Sequence, residues 1–364
     1  VHDSQIVMKL AEEILAKIAE TPTSTIDTLL SLIGSAEIRS DLIESWLSDI
    51  VERGNSEQRV SIMFGLYPIF EKTKDINLVL RIMQKALRKE ETLSAQFISS
   101  LSFSVLRLKE VIDKAGEELL DRLRMDLAER LRMFPKIDRH GERLIDFAIR
   151  GIDNLIGFIE FRLKKAEEIF KDGAFAGFEA IPYHGLKNIP GYIKSFEDYK
   201  KLMKKIAEWG DEDKVYGRYY LEYLMKPVAR LTNPDSGELY IEEFIENEIE
   251  ERNIQNAMFA FKFIEFAEKN IPLFLKIAEE EVGHGKAADI ERLLRRKIYP
   301  ETAWSSRPGE PPAFLSKARK AYEKMISITE NSELKGILNR VIKLIDRAMK
   351  DDLKFAEEHL LEKR

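Results

Sequence analysis

From residue 4 to about residue 110, apolar residues recur at three- and four-residue spacings in short runs separated by tight breaks. That is the periodicity of amphipathic helices, and it predicts helices over about 4–19, 25–34, 38–52, 57–71, 75–89 and 92–109. In the first run Ile6, Leu10, Ile14 and Ile18 form one stripe, flanked by Met8 and Leu15. Such a stripe is a core face, and a lone helix has nothing to bury it against. The breaks carry the chemistry of helix ends: Thr21-Pro22-Thr23-Ser24, Gly34-Ser35, Gly54-Asn55-Ser56 and Lys74-Asp75 supply glycine stops and Ser or Asp starts.

Helix pairs therefore begin near residues 4, 38 and 75, a spacing of about 35 residues. Hairpins of that length bury their apolar faces only against neighbouring hairpins, which makes a stack the expected outcome. In this spacing the first third of the chain resembles α-solenoids of the HEAT and armadillo kind. The resemblance implies an all-α, right-handed stack of antiparallel helical hairpins. The HEAT proline and charged-turn positions find no counterparts, since Pro68 falls late in a second helix, and so no functional residue carries over.

From about 112 to 171 the helices lengthen. Gly116 and Pro135 punctuate, and GERLIDFAIRGIDNLIGFIEFRLKKAEEIF reads as one long helix with Gly151 and Gly157 as points of close packing or bending. It runs into KDGAFAGFEAIPYHGLKNIPGY, residues 171–192, where four glycines and two prolines forbid a continuous helix. Helices resume over about 196–208, 213–230, 238–251, 254–269, 272–282, 286–297, 313–329 and 333–361. The expected organisation is an N-terminal helical half at 1–171, a junction loop at 172–195 and a C-terminal helical half at 196–364. No stretch alternates as a strand does.

Composition enters through what it excludes. The absence of cysteine removes disulfides, thiolate metal sites and cysteine nucleophiles together. Abundant Lys and Glu with only five Gln fit the pattern of hyperthermophile proteins. No apolar run approaches the roughly 18–20 residues that cross a bilayer, and the N-terminus lacks a basic region followed by an apolar one. The expectation is a cytoplasmic protein without a membrane partner, and a first residue of valine suggests a chain processed or cut from a longer one. There is no phosphate-binding loop, dinucleotide fingerprint, Gly-x-Ser-x-Gly elbow or His-Glu-x-x-His motif.

Four groups of residues remain as candidates. The central break and the following tyrosine cluster offer Phe178, Tyr183, His184, Tyr192, Tyr216, Tyr219 and Tyr223, and the proline-rich stretch near residue 300 adds Trp304 and Arg307. Aromatic residues with a polar tip suit a half-exposed partner surface, or equally the packing of a junction. Arg81, Lys85, Arg88, Lys89, Arg122, Arg124, Arg132, Lys136 and Arg139 could follow a phosphate backbone along a groove, although interleaved acids make them read as solvated helix faces. Glu281 and His284 form Glu-x-x-His, half of a carboxylate-bridged metal site with no second half. Asp351-Asp352 reads as solvated surface.

The functional expectation is a non-enzymatic helical-repeat scaffold that binds a protein partner through the surface between its halves, without a cofactor. The alternatives are nucleic-acid binding along residues 81–139 and a metal-dependent all-α enzyme.

Overall fold

Three helices of the first hairpins start where a side chain satisfies a free amide group, while those that begin at Thr23 and Ser40 have no side-chain cap. In the computed structural model, which describes residues 4–134, 139–172, 185–210, 224–264, 266, 268–296 and 313–361, Asn55 and Gln58 form a reciprocal capping box, each side chain accepting the other's backbone N–H at 2.9 Å. Asp75 accepts the amide of Leu78 and Ser94 that of Phe97. The resulting helices are α1 (Ser4–Ala16), α2 (Thr23–Ser35), α3 (Ser40–Arg53), α4 (Ser56–Thr73), α5 (Ile76–Lys89), α6 (Ala95–Ile112), α7 (Glu117–Met133), α8 (Arg139–Ala148) and α9 (Gly151–Asp172), followed by a 3-10 helix over Gly185–Tyr192.

Their packing is regular. The odd helices stack as α1 on α3, α3 on α5, α5 on α7 and α7 on α9, and the even ones as α2 on α4, α4 on α6 and α6 on α8. Within hairpins, α1 meets α2, α3 meets α4, α5 meets α6 and α7 meets α8. Ile43, Leu47 and Ile50 on α3 and Leu78, Ile82 and Met83 on α5 are fully buried between the two layers. Of the stripe expected on the first helix, Ile14 and Ile18 are buried but Ile6 is 63% exposed, because Val7 and Ala11 turn inward there. This is a stack of helical hairpins, with no strand among the described residues.

Polar staples repeat along the stack. Gln58, wholly buried, donates from Nε2 to the carbonyls of Ile18 at 2.9 Å and Thr21 at 2.8 Å, tying the start of α4 to the segment after α1. Glu90, 3% exposed at the end of α5, accepts from Arg59 of α4 and from Ser56 Oγ at 2.9 Å. Arg59 also donates to the carbonyls of Gly54 and Val51, which close α3. Arg162 of α9, with no exposed surface, caps the end of α7 through the carbonyls of Arg132 and Phe134, the placement a cation favours at a helix C-terminus.

Two sequence expectations need correction. The long helix after Gly141 is two helices, α8 and α9. Gly151 sits at φ +72, a left-handed conformation that stops α8 and opens α9. In the second part of the chain the helix expected over 254–269 ends at Phe261. There the rings of Phe261, Phe266 and Phe274 fold together, with centroids 4.8–6.2 Å apart, and Phe266 reaches Tyr322 at 5.9 Å. Burying those rings outweighs continuing the helix.

Contacts divide the chain into two compact units, Val1–Ile193 and Lys194–Arg364. The second contains α10 (Phe196–Trp209), helical residues 224–228, α11 (Tyr240–Glu250), α12 (Ile254–Phe261), α13 (Ile271–Gly283), α14 (Ala287–Arg296), α15 (Ala313–Ile328) and α16 (Ser332–Leu361). Again neighbours pair, α11 with α12, α13 with α14 and α15 with α16, and alternate helices stack, α10 on α12, α13 on α15 and α14 on α16. Tyr199 packs its ring against Tyr240 and Phe244.

Candidate functional site

Four of the cations that could follow a phosphate backbone, Arg81, Lys85, Arg88 and Lys89, reach neighbouring hairpins. Arg81 donates to both carboxylate oxygens of Glu44 at 2.7 Å, Lys85 to Ser48 Oγ at 2.8 Å and Lys89 to Glu52 at 3.1 Å. These pairs form three rungs one helical turn apart between α5 and α3, each joining residues 37 positions apart. The hydrogen bond to Glu44 raises the Arg81 pKa above its ordinary value. Arg88 reaches Asp126 of α7 at 2.7 Å, Arg122 pairs with Glu118, Arg124 is buried and Arg132 is half-buried. Lys136 lies outside the described residues, as does the side chain of Arg139, which opens α8.

Of the aromatic candidates, Tyr192 is the one within the described residues, and it is an anchor instead of a surface. At 8% exposure its hydroxyl donates to Asp146 Oδ1 at 3.3 Å, fixing the 3-10 helix to α8. Burial, and then the Asp146 charge, push its pKa up. Phe178, Tyr183, His184, Tyr216, Tyr219, Tyr223, Trp304 and Arg307 lie outside the described residues.

Glu281 and His284 sit in different surroundings. Glu281, 7% exposed on α13, is held by Lys286 Nζ at 3.0 Å, while His284 caps the end of that helix and is exposed. Among the described residues no three potential ligands gather around a metal position. Glu281, Lys286, Asp289 and Arg292 instead line a cleft of about 520 Å³ in the second unit, open between α10, α12, α13 and α14. Its charges are mixed, and Asp289 pairs with Arg292 at 3.6 Å.

A surface that the sequence reading passed over lies on the even layer of the first unit. In a chain with 34% charged residues, 60–70 and 92–106 contain none, and 21–36 contain Asp27 and no other charge. These stretches are the bulk of α4, α6 and α2, which stack side by side. Their outward residues include Ser24, Thr28, Ser31, Pro68, Phe64 at 46% exposure, Phe103 at 38% and Leu106 at 53%. The rings of Phe64 and Phe103 meet at 5.6 Å, and the Arg107 guanidinium lies over Phe103 at 5.2 Å and Tyr67 at 5.6 Å. Among the described residues Arg107 has no carboxylate partner. The signal was present as charge-free runs, but it acquires meaning only once three separated segments are known to be neighbours.

The layer is also close-packed. A Cβ added to Gly65 would lie 2.8 Å from Leu30 Cδ1 and 3.2 Å from its Cβ and Cγ, so glycine lets α4 approach α2.

A second cleft, of about 330 Å³, opens between α6, α7 and α8 next to this face, and Leu106 lines it. Ser102, Lys109, Arg124, Arg143 and Arg150 supply its polar lining. Arg124 packs over the Phe147 ring at 5.3 Å and reaches Asp113 and Asp121 at 3.5 Å.

No protein family and no curated protein matches this sequence. A solved structure from work on the computational design of self-assembling cyclic protein homooligomers is 12% identical over 92% of this chain and 99% of that one. Its TM-score is 0.13, too low to relate the two folds. Among the described residues no helix is long and apolar enough to cross a membrane.

Proposed function

We propose that the chain is a helical-repeat binding module for a protein partner, which docks on the even layer of the first unit across α2, α4 and α6. The observation that carries this reading is the exposed Phe64–Phe103 pair with Arg107 stacked beside it, set in a surface nearly free of charge. Paired aromatics with an adjacent arginine and few other charges make up the centre of protein interfaces. Arg81, Arg88 and Lys89 are paired with carboxylates of neighbouring hairpins, whereas Arg107 has no carboxylate partner among the described residues. The partner is therefore a segment with apolar side chains and a carboxylate placed to meet that guanidinium.

Affinity capture from the source cells with the wild-type chain and with Phe64→Ala/Phe103→Ala tests it. Both rings are half-exposed, so the variant keeps its helical circular dichroism. Loss of a stoichiometric protein from the variant eluate supports the reading, and identical eluates refute the site. Nucleic acid that both chains recover and that added salt removes would transfer the function to the basic helices.

A further inference from the structure

The cleft between α6, α7 and α8 is lined by apolar Val105, Leu106, Leu144 and Phe147 and by polar groups from all three helices. Two of these polar groups are unusual. Ser102 is 2% exposed and its Oγ has no hydrogen-bond partner among the described residues. Arg124 is 7% exposed and its Nε is likewise unpartnered. A buried donor left unpaired costs about 1–3 kcal/mol. Two such donors, from different helices, lining the same cleft indicate that an acceptor belongs there.

The charges say what kind of acceptor. Lys109, Arg124, Arg143 and Arg150 line the cleft, against Asp113 and Asp146. Asp146 already takes the hydroxyl of Tyr192, and Asp113 is shared between Arg124 at 3.5 Å and Arg150 at 3.7 Å. Asp121 approaches Arg124 from its own helix at 3.5 Å. Arg143 is exposed and has no carboxylate partner among the described residues. Burial, and then the neighbouring Arg150, lower the pKa of Arg124.

We infer that this cleft binds an oxyanion, a carboxylate or phosphate ester, carried on a small apolar body. Ser102 and Arg124 donate to its oxygens from within, Arg143 and Arg150 balance its charge at the mouth, and Leu144 and Phe147 cover the apolar part. Two sources have this chemistry: a free small molecule, and an acidic or phosphorylated side chain of a docked segment. The inference does not rest on the Phe64–Phe103 face, although Leu106 belongs to both surfaces.

The test is nuclear magnetic resonance of the full chain with labelled methyl groups, titrated at constant ionic strength with phenyl phosphate, benzoate or sodium chloride. Saturable shifts at the Leu106, Ile112 and Leu144 methyls are expected with the first two and not with chloride. Arg143→Gln/Arg150→Gln, which changes two exposed side chains, raises the dissociation constant about tenfold or more, a difference of about 1.4 kcal/mol. Ser102→Ala raises it about 2–12-fold, the range of one hydrogen bond. A peptide with a single phosphoserine that binds more tightly than phenyl phosphate assigns the site to a docked segment; weaker binding of the peptide assigns it to a free ligand. Shifts no larger than those from chloride, or shifts that survive Arg143→Gln/Arg150→Gln, overturn the inference and leave the cleft to water.

Discussion

Replacing Arg59 by methionine tests whether the stack is held by its buried polar staples or only by its apolar stripes. Glu90 is 3% exposed, and its carboxylate is neutralised by Arg59, with Ser56 Oγ as a second partner at 2.9 Å. Methionine keeps the apolar stem of Arg59 and removes the charge, so the buried Glu90 carboxylate loses its cation and keeps one hydroxyl for company. Breaking one side of a buried pair costs about 3–5 kcal/mol, most of it the stranded charge. At about 2–4 °C per kcal/mol for a body of this size, the thermal midpoint falls by roughly 6–20 °C. The double variant Arg59→Met/Glu90→Leu removes both charges and recovers the part of the loss due to the stranded carboxylate, though not the hydrogen bonds from Arg59 to the carbonyls of Gly54 and Val51. Calorimetry of the full chain measures the midpoint. Hydrogen exchange on peptides from α3–α5 locates the change, since a chain with two compact units need not unfold in one step. A single variant within about 1 kcal/mol of wild type, or a double variant no better than the single, refutes the reasoning.

Three further outcomes are expected. Gly65→Ala gains about 1 kcal/mol of helix propensity but loses about 1–3 kcal/mol to overpacking against Leu30, so urea denaturation should show net destabilisation; Gly336→Ala on α16, 3.7 Å from one flexible arginine nitrogen, should instead stabilise. Tyr199→Phe removes a fully buried hydroxyl without a hydrogen-bond partner among the described residues and should raise the thermal midpoint, whereas a lower midpoint would mean the hydroxyl is satisfied. Glu291 accepts from Arg340 at 2.6 Å and from Arg295 at 2.5 Å, and the hydrogen bond to Arg340 chiefly holds its pKa below the ordinary 4.5. Its contribution is therefore present above about pH 4.5 and lost as pH falls through the depressed value. Glu291→Gln should lower the midpoint near neutrality and converge with wild type in acid, and parallel curves would contradict this.

The first hairpins were legible because their determinants are local. The α3 stripe of Ile43, Leu47 and Ile50 and the caps at Asn55, Asp75 and Ser94 lie within one or two turns of what they control. Gly151 was read as a bend because a glycine inside a periodic stretch does not announce the sign of φ. The end of α12 at Phe261 was missed for a different reason: the rings that stop it include Phe274 and Tyr322, remote in sequence. The same holds for function. The spacing puts Arg81, Lys85 and Arg88 on one helix face, but Arg88 turns to Asp126 of α7 while Arg81, Lys85 and Lys89 meet partners on α3 that lie 37 residues away, which only the stacked register shows. Conversely, the charge-free runs on α2, α4 and α6 were in plain view and lacked only the knowledge that they adjoin.

In the first unit, each helix packs substantially only on helices one or two positions away. Mechanically, that makes the unit a row of springs in series. A displacement at α1 reaches α7 only by way of the hairpins between them, through either layer, so each interface adds its own compliance. A small change in tilt at every hairpin sums along the row, whereas within one hairpin the close-packed core keeps its shape. A partner gripping α4 and α6 together would clamp one of these springs, and the rest of the row would stay free to bend.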